Sequence, residues 1–261
     1  MNQNVIWITG ATSGIGKALF QQYSKTDSKL IISGRNKAGL IELKACSKKP
    51  ENVFALPLDL SEAKNFPNIV KEAIQAFGRI DVLINNGGIS QRSLIMETTP
   101  EVDRRIMEVN FFGTVGLSKT LLPHFVGNKS GQFVVVSSLV GKFGSPYRST
   151  YAAAKHALHG FFDTLRAEHY RDNITVTMVC PGFIRTNVSL NALTGNGTPL
   201  QAMDDAQEKG MSPDSCAKQI IKAVSKRKQE VNIGGKEIYA VKLKRFFPLL
   251  FSKLIKKAKV R

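Results

Sequence analysis

Residues 9–16 read "TGATSGIG". A β-branched apolar run, "VIWIT" at 5–9, leads straight into them, and a helix-like stretch near 14–25 follows. Glycines at 10, 14 and 16 permit a tight turn, let main chain approach a phosphate, and let the start of the helix pack on the strand. The N-terminus of that helix then presents free N–H groups to an anion. The spacing is G-x-x-x-G-x-G and not the G-x-G-x-x-G of many dinucleotide folds, so the strand before and the helix after it are what make the turn informative. The candidate phosphate contacts are Gly10, Thr12, Ser13, Gly14, Ile15 and Gly16.

The same alternation continues along the chain. "KLIIS" (29–33), "VFALPL" (53–58), "DVLIN" (81–85), "QFVVVS" (132–137), "ITVTMVC" (174–180) and "EVNIG" (230–234) read as further strands, several of them apolar on both faces. Helix-like segments lie between them near 37–48, 62–77, 101–125, 150–170 and 213–226. This rhythm predicts one α/β domain built on a Rossmann-type, doubly wound parallel sheet of about seven strands with helices on both faces. Two regions depart from it. Residues 186–212 are rich in Gly, Asn and Ser and read as a mobile excursion beside a site. From 236 the composition turns basic and aromatic, and the organisation predicted is a catalytic domain over 1–241 and a basic tail over 242–261.

Composition narrows the function classes. With 43% hydrophobic and 22% charged residues the chain has the make-up of a folded globular protein, not of a disordered one. Runs such as "FVVVSSLV" and "FFPLLF" fall short of the roughly 18 residues of a membrane span. The N-terminus enters a strand pattern without the basic start and small-residue cleavage site of a secretory signal, so the expectation is a cytoplasmic protein. Cys46, Cys180 and Cys216 form no C-x-x-C pair and have no histidine cluster beside them; they are expected to be reduced, with no metal site. The formal net charge of +17 calls for an anionic partner.

The end of the second strand bears on the cofactor. A site for NAD(H) places an acid there for the ribose 2′-hydroxyl, whereas a 2′-phosphate needs a cation. The chain reads "ISGRN": Gly34 leaves room, Arg35 offers a fork suited to phosphate, and no acid appears before Glu42. NADP(H) is favoured over NAD(H). Asp59, at the end of the third strand, either accepts from the adenine amino group or caps the helix expected from Ser61.

"STYAAAK" at 149–155 holds a phenol and an ammonium one helical turn apart, Tyr151 and Lys155, on a helix-forming spacer. A free phenol is a poor base at neutral pH, and a neighbouring cation brings its pKa toward the working range. Ser138, thirteen residues earlier and just past the fifth strand, is placed to donate to a substrate oxygen as charge develops on it. Ser137 competes for that role. His156, His159 and His169 lack metal-ligand partners and read as ordinary helix residues.

"TGATSGIG", "NNGG" (85–88), Asn110, "SS" (137–138), "YAAAK" and "PG" (181–182) stand in the order and spacing of the short-chain dehydrogenase/reductase family, which the chain resembles from about residue 3 to 235. The resemblance implies a nicotinamide-dependent oxidoreductase with a Ser-Tyr-Lys site and a carbonyl or alcohol substrate. It also implies that Lys155 holds the nicotinamide ribose and that Asn110 organises a water beside it. Pro181, Gly182, Ile184 and Thr186 of "PGFIRTN" would contact the nicotinamide, and Asp59, Leu60, Asn86 and Gly87 the adenosine half. The family usually has alanine where this chain has Gly87, which touches cofactor affinity rather than activity. Many relatives form homodimers or homotetramers through the helices that correspond to 101–125 and 150–170.

The tail, "KLKRFFPLLFSKLIKKAKVR", carries eight cations and no acid. After Pro248, Leu250, Phe251, Leu254, Ile255 and Ala258 recur at spacings of three and four with lysines on the other side, the pattern of a helix lying on an anionic membrane surface. The same stripe also suits packing on the enzyme's own core or on a partner subunit. The expected substrate is apolar, lipid-like in the membrane reading. A rival reading is a dinucleotide- or nucleic-acid-binding module without a reaction; the complete Ser-Tyr-Lys set disfavours it, and no nucleic acid partner is expected. A third accounts for the charge by a substrate carried on CoA or an acidic protein.

Overall fold

The computed structural model describes residues 3–258, so Lys259 and Arg261 of the tail lie outside the described residues. Seven strands, β1 (Val5–Thr9), β2 (Lys29–Gly34), β3 (Val53–Pro57), β4 (Val82–Asn85), β5 (Gly131–Val136), β6 (Ile174–Pro181) and β7 (Glu230–Ile233), form one parallel sheet in the order β3-β2-β1-β4-β5-β6-β7. The chain leaves β1 toward one edge and returns to the other side of it at β4, which opens a crevice at the carboxyl ends of those two strands.

Helices cover both faces, which is why the central strands are apolar on both sides. On β1, Ile6 and Ile8 face one core with α1 (Gly14–Tyr23), α2 (Lys37–Ala45) and the helix Pro213–Ser225. Val5 and Trp7 face the other, with α3 (Phe66–Phe77) and the two helices Thr114–Gly127 and Ser149–Glu168. The period of two in a strand sorts its side chains this way. Trp7 is fully buried and donates its indole N–H to Ser33 Oγ at 2.8 Å, so its one polar atom is satisfied.

The helix expected over 101–125 is three pieces: α4 (Pro100–Met107), a π-helical turn (Glu108–Gly113) and α5 (Thr114–Gly127). At that turn the helix approaches β3's exit so closely that a Cβ on Gly113 would stand 2.2 Å from the Leu60 carbonyl. The helix expected from about 62 begins at Phe66, with Pro67 in its first turn, where a missing N–H costs nothing. Then come α6 (Ser149–Glu168), a short α7 (Asp205–Glu208) inside the 186–212 excursion, and α8 (Pro213–Ser225).

The tail folds as two helices, α9 (Tyr239–Phe246) and α10 (Pro248–Ile255). Residue 242, the predicted start of the tail, lies inside α9. Phe251 of α10 is buried against Leu139, Phe143 and Cys180, its ring edge-on to Phe143 at 5.1 Å. Phe246, Phe247, Leu249, Leu250 and Leu254 stay exposed. Among the described residues no helix is long and apolar enough to cross a membrane.

Candidate active site

A cleft of about 520 Å³ opens at the carboxyl ends of β1, β4, β5 and β6. Its floor is the glycine turn. Gly10 and Gly14 have φ of +65° and +52°, a region side chains disfavour, and a Cβ on Gly16 would stand 2.2 Å from the Gly10 carbonyl. The side chain of Ser13, at the start of α1, makes no capping bond, and the helix has no acid in its first turn. The intrahelical ladder starts with the Lys17 N–H on the Ser13 carbonyl (3.0 Å), so the N–H groups before it are open to the cleft, a site made for an anion. The fit to a dinucleotide pyrophosphate therefore rests on the chain's own geometry.

Asn86 fastens the turn of β4 to this floor. Its Nδ2 donates to the Thr9 carbonyl (2.9 Å) and the Gly10 carbonyl (3.2 Å), while Thr9 Oγ1 accepts from the Asn86 and Gly87 N–H groups. From the far side Thr186 closes over Gly14, within 3.2 Å of where a Cβ would be. Gly10, Ser13, Gly14, Ile15, Arg35, Asn86, Gly87, Ser138, Tyr151, Lys155, Pro181, Gly182, Ile184 and Thr186 all line the cleft.

The other predicted residues stand behind that lining. Thr12 faces Gly34 and Gly39, and Gly16 packs on Gly10. Leu60 turns into the core, its Cδ1 2.9 Å from where a Cβ on Gly87 would be; glycine at 87 and the leucine share one space. Asp59 accepts from the Ser61 N–H (2.9 Å) and hydroxyl (2.7 Å), so it holds that turn and does not cap α3, which begins seven residues later. Partial burial raises its pKa, but the Ser61 hydrogen bonds and the fields of Arg35 and Arg105 bring it below the usual carboxylate value. Arg105, from α4, is a cleft-lining cation that the sequence reading missed.

At the catalytic end, Ser137 and Ser138 leave β5 in opposite directions. Ser137 Oγ donates to the Lys155 carbonyl (3.2 Å) and meets His159 Nε2 (3.1 Å), whereas Ser138 Oγ donates to the Pro181 carbonyl (3.4 Å), accepts from the Val140 N–H (3.3 Å) and is close enough to the Tyr151 phenol to favour its ionised form. Geometry thus separates the two serines that the sequence left in competition. His159 is pushed down to about 4 by burial and is a neutral helix residue. Asn110 is fully buried on the π-helical turn and grips Ile89 with both ends of its amide, accepting from its N–H and donating to its carbonyl, each at 2.8 Å.

Lys155 Nζ donates to the Val136 carbonyl (2.8 Å) and lies 5.7 Å from the Tyr151 ring centroid. Burial lowers its pKa from 10.5 to about 8. Burial raises the phenol of Tyr151, and Arg92, Ser138 and Arg148 pull it back. Two buried arginines thus join Lys155, which the spacing pointed to, among the cations around the phenol. Both were missed in the sequence, as was Gln91, whose Oε1 accepts from the N–H groups of Thr150 (3.1 Å) and Tyr151 (3.3 Å) at the start of α6. No motif marks these residues; only the fold brings them together. Glu237, at the root of the tail, was also missed: its carboxylate accepts from the Phe183 N–H at 3.1 Å and so steadies the "PGF" turn.

The family model for short chain dehydrogenases matches residues 4–196. The chain is 41% identical over 259 residues to dehydrogenase/reductase SDR family member 7B of Bos taurus, which covers 96% of this chain and 80% of the bovine protein. Among solved structures, a short chain dehydrogenase/reductase from Burkholderia phymatum in complex with NAD has a TM-score of 0.84 at 20% identity, over 95% of each chain. ElxO with NADP bound has a TM-score of 0.76 at 26% identity, over 89% of this chain and 97% of that one. The fold and the order of the motifs agree with these relationships: the chain belongs to the short-chain dehydrogenase/reductase family, and it is an oxidoreductase rather than a reactionless binding module.

Proposed function

We propose that the protein is an NADP(H)-dependent oxidoreductase that interconverts a carbonyl and an alcohol on an apolar, lipid-like substrate. The observation that carries this reading is a single cleft with an open helix N-terminus and two arginines, Arg35 and Arg105, among its lining residues together with Ser138 and Tyr151. Two guanidiniums and no carboxylate in that lining favour a 2′-phosphate over a bare ribose. When bound, the nicotinamide supplies or accepts the hydride. Tyr151 gives or takes the proton at the substrate oxygen, Ser138 donates to that oxygen as charge develops, Lys155 holds the nicotinamide ribose, and Asn110, behind the lining on Ile89, organises a water beside the lysine. Ile89, Ile184, Val188, Leu193 and Pro199 in the lining support an apolar substrate, and the 186–212 excursion opens and closes over it.

The tail adds a location to this reading. Its exposed Phe246, Phe247, Leu249, Leu250 and Leu254 stand beside Lys242, Lys244, Arg245, Lys253, Lys256 and Lys257, which supports attachment of a cytoplasmic enzyme to an anionic membrane surface. Subunits pair through the α4–α5 and α6 surfaces as a homodimer or homotetramer, where Phe112 is exposed. The test of the activity is a panel of ketones, aldehydes and acyl-lipids followed by NADPH oxidation. Tyr151→Phe loses turnover and keeps NADPH binding; near-normal turnover in that variant overturns the reading.

A further inference from the structure

Asp204 lies in the excursion between β6 and α8, 2% exposed, and its Oδ2 is a meeting point. Arg92 reaches it through Nε (2.7 Å) and Nη2 (2.6 Å), Arg148 through Nη2 (3.2 Å), and Ser189 donates its hydroxyl (2.9 Å). Its other oxygen, Oδ1, is buried without a hydrogen-bond partner among the described residues. Arg92 is spoken for on its remaining side, with Nη1 donating to Ser90 Oγ (2.8 Å) and the Gln91 carbonyl (2.7 Å). One carboxylate therefore serves two buried guanidiniums.

The three charges come from three places. Arg92 belongs to the segment after β4, Arg148 directly precedes α6, and Asp204 belongs to the excursion. A cation at a helix N-terminus opposes the helix dipole, and α6 has no acid in its own first turn. Asp204 supplies the missing negative charge from across the cleft. The neighbouring backbone joins the same partners, since the Arg92 N–H donates to the Leu193 carbonyl (2.8 Å) and the Leu193 N–H to the Ser90 carbonyl (2.9 Å). Gln91, between them, holds the N–H of Tyr151 itself. Other charged groups around Tyr151 are Lys155 on its own helix and Asp103 of α4, which accepts from the Thr150 hydroxyl.

We propose that Arg92, Arg148 and Asp204 are positioning residues that tie closure of the 186–212 excursion to the proton on Tyr151: closing the excursion seats the carboxylate between the two arginines, and the carboxylate offsets part of their field at the phenol. This rests on the reading of Tyr151 as the proton donor. In reduction Tyr151 must be protonated, so turnover falls as pH rises through its pKa. Removing the carboxylate's negative charge favours the phenolate, and removing an arginine disfavours it.

The test compares wild type, Asp204→Asn, Arg92→Met, Arg92→Lys and Tyr151→Phe by two measurements. These are the pH dependence of kcat/KM for a ketone that the panel shows to be reduced, and amide hydrogen exchange of residues 186–204. Relative to wild type, the alkaline fall in kcat/KM moves down by about one pH unit in Asp204→Asn and up by about as much in Arg92→Met. Exchange of the excursion quickens in both. Arg92→Lys, which keeps the charge and loses the fork, leaves the alkaline fall in place while exchange still quickens. A purely structural cluster gives shifts of one sign or none, and either result overturns the proposal, as does unchanged exchange. Turnover surviving in Tyr151→Phe instead overturns the parent reading of the site.

Discussion

Lys155 is 5% exposed, and burial brings its pKa from 10.5 to about 8, so the folded protein holds this ammonium at a cost. At about 1.4 kcal/mol per pH unit the gap corresponds to about 3 kcal/mol. The sign follows from the direction of the shift. The unfolded chain binds the proton more tightly, so the penalty is complete below about pH 8 and fades as pH rises toward 10.5. Lys155→Met keeps the length of the side chain and deletes the charge, but it strands the Val136 carbonyl that Nζ now satisfies, a loss of about 1–2 kcal/mol. Near pH 7, without added nucleotide, the variant should thus be more stable than wild type by about 1–2 kcal/mol, or roughly 2–8 °C in Tm. As pH rises above 8 wild type recovers, the difference closes, and near pH 10.5 it changes sign. Urea unfolding of both proteins at pH 7, 9 and 10.5 measures this, and turnover of the variant should be lost throughout. A stability difference that does not vary with pH, or a variant already weaker at pH 7, refutes the reasoning that the site holds its lysine against a desolvation penalty.

Arg35→Gln and Arg105→Gln should each weaken NADPH roughly 10–100-fold, the range of a lost charged hydrogen bond, while NADH binding moves less than about threefold; fluorescence titration with both nucleotides separates the cases. Ser138→Ala should lower kcat by about 10²–10³, whereas Ser137→Ala, whose hydroxyl faces Lys155 O and His159, should cost about 1 kcal/mol of stability and spare turnover, read from kinetics and melting of the same samples. The triple variant Lys253→Glu, Lys256→Glu, Lys257→Glu should abolish co-sedimentation with anionic vesicles and leave reduction of a water-soluble ketone intact. Phe251→Ala, which empties the space against Phe143, should cost about 3–4 kcal/mol in urea unfolding; for that reason charge reversal tests the tail better than deleting it.

What could be read in the chain divides along physical lines. Turn chemistry and apolar period are local, and so the glycine turn, the strand–helix alternation and the parallel sheet were all legible. The Ser-Tyr-Lys set was legible for a related reason: β5, its exit and the start of α6 are joined by a short connection that fixes Ser138 relative to Tyr151. The π-helical turn was not legible, because its cause is tertiary. It exists where Gly113 meets the Leu60 backbone and where Asn110 must reach Ile89, and nothing in the helical period of 101–125 announces either contact. The tail shows the same limit in another form. A stripe at spacings of three and four says that one face is apolar, but not that Phe251 would turn inward while Leu250 and Leu254, on the same stripe, would not.

The charges on Tyr151 are the sharpest case. A cation four residues away on one helix is visible in sequence, and a spacing argument naturally assigns it the work of tuning the phenol. The shared helix that makes the pair visible also buries Lys155 over the Tyr151 ring and directs its ammonium to the Val136 carbonyl, while burial raises the phenol. Further charge arrives from Arg92 and Arg148, with Asp204 set between them from a segment 112 residues further along than Arg92. Since a buried carboxylate that lost its guanidinium partners would cost several kcal/mol, the excursion cannot lift away from the cleft with Asp204 left unsolvated. In the proposed closure, opening would hydrate that carboxylate and expose the two arginines together, so access of substrate and the charge around the catalytic proton would change in one step.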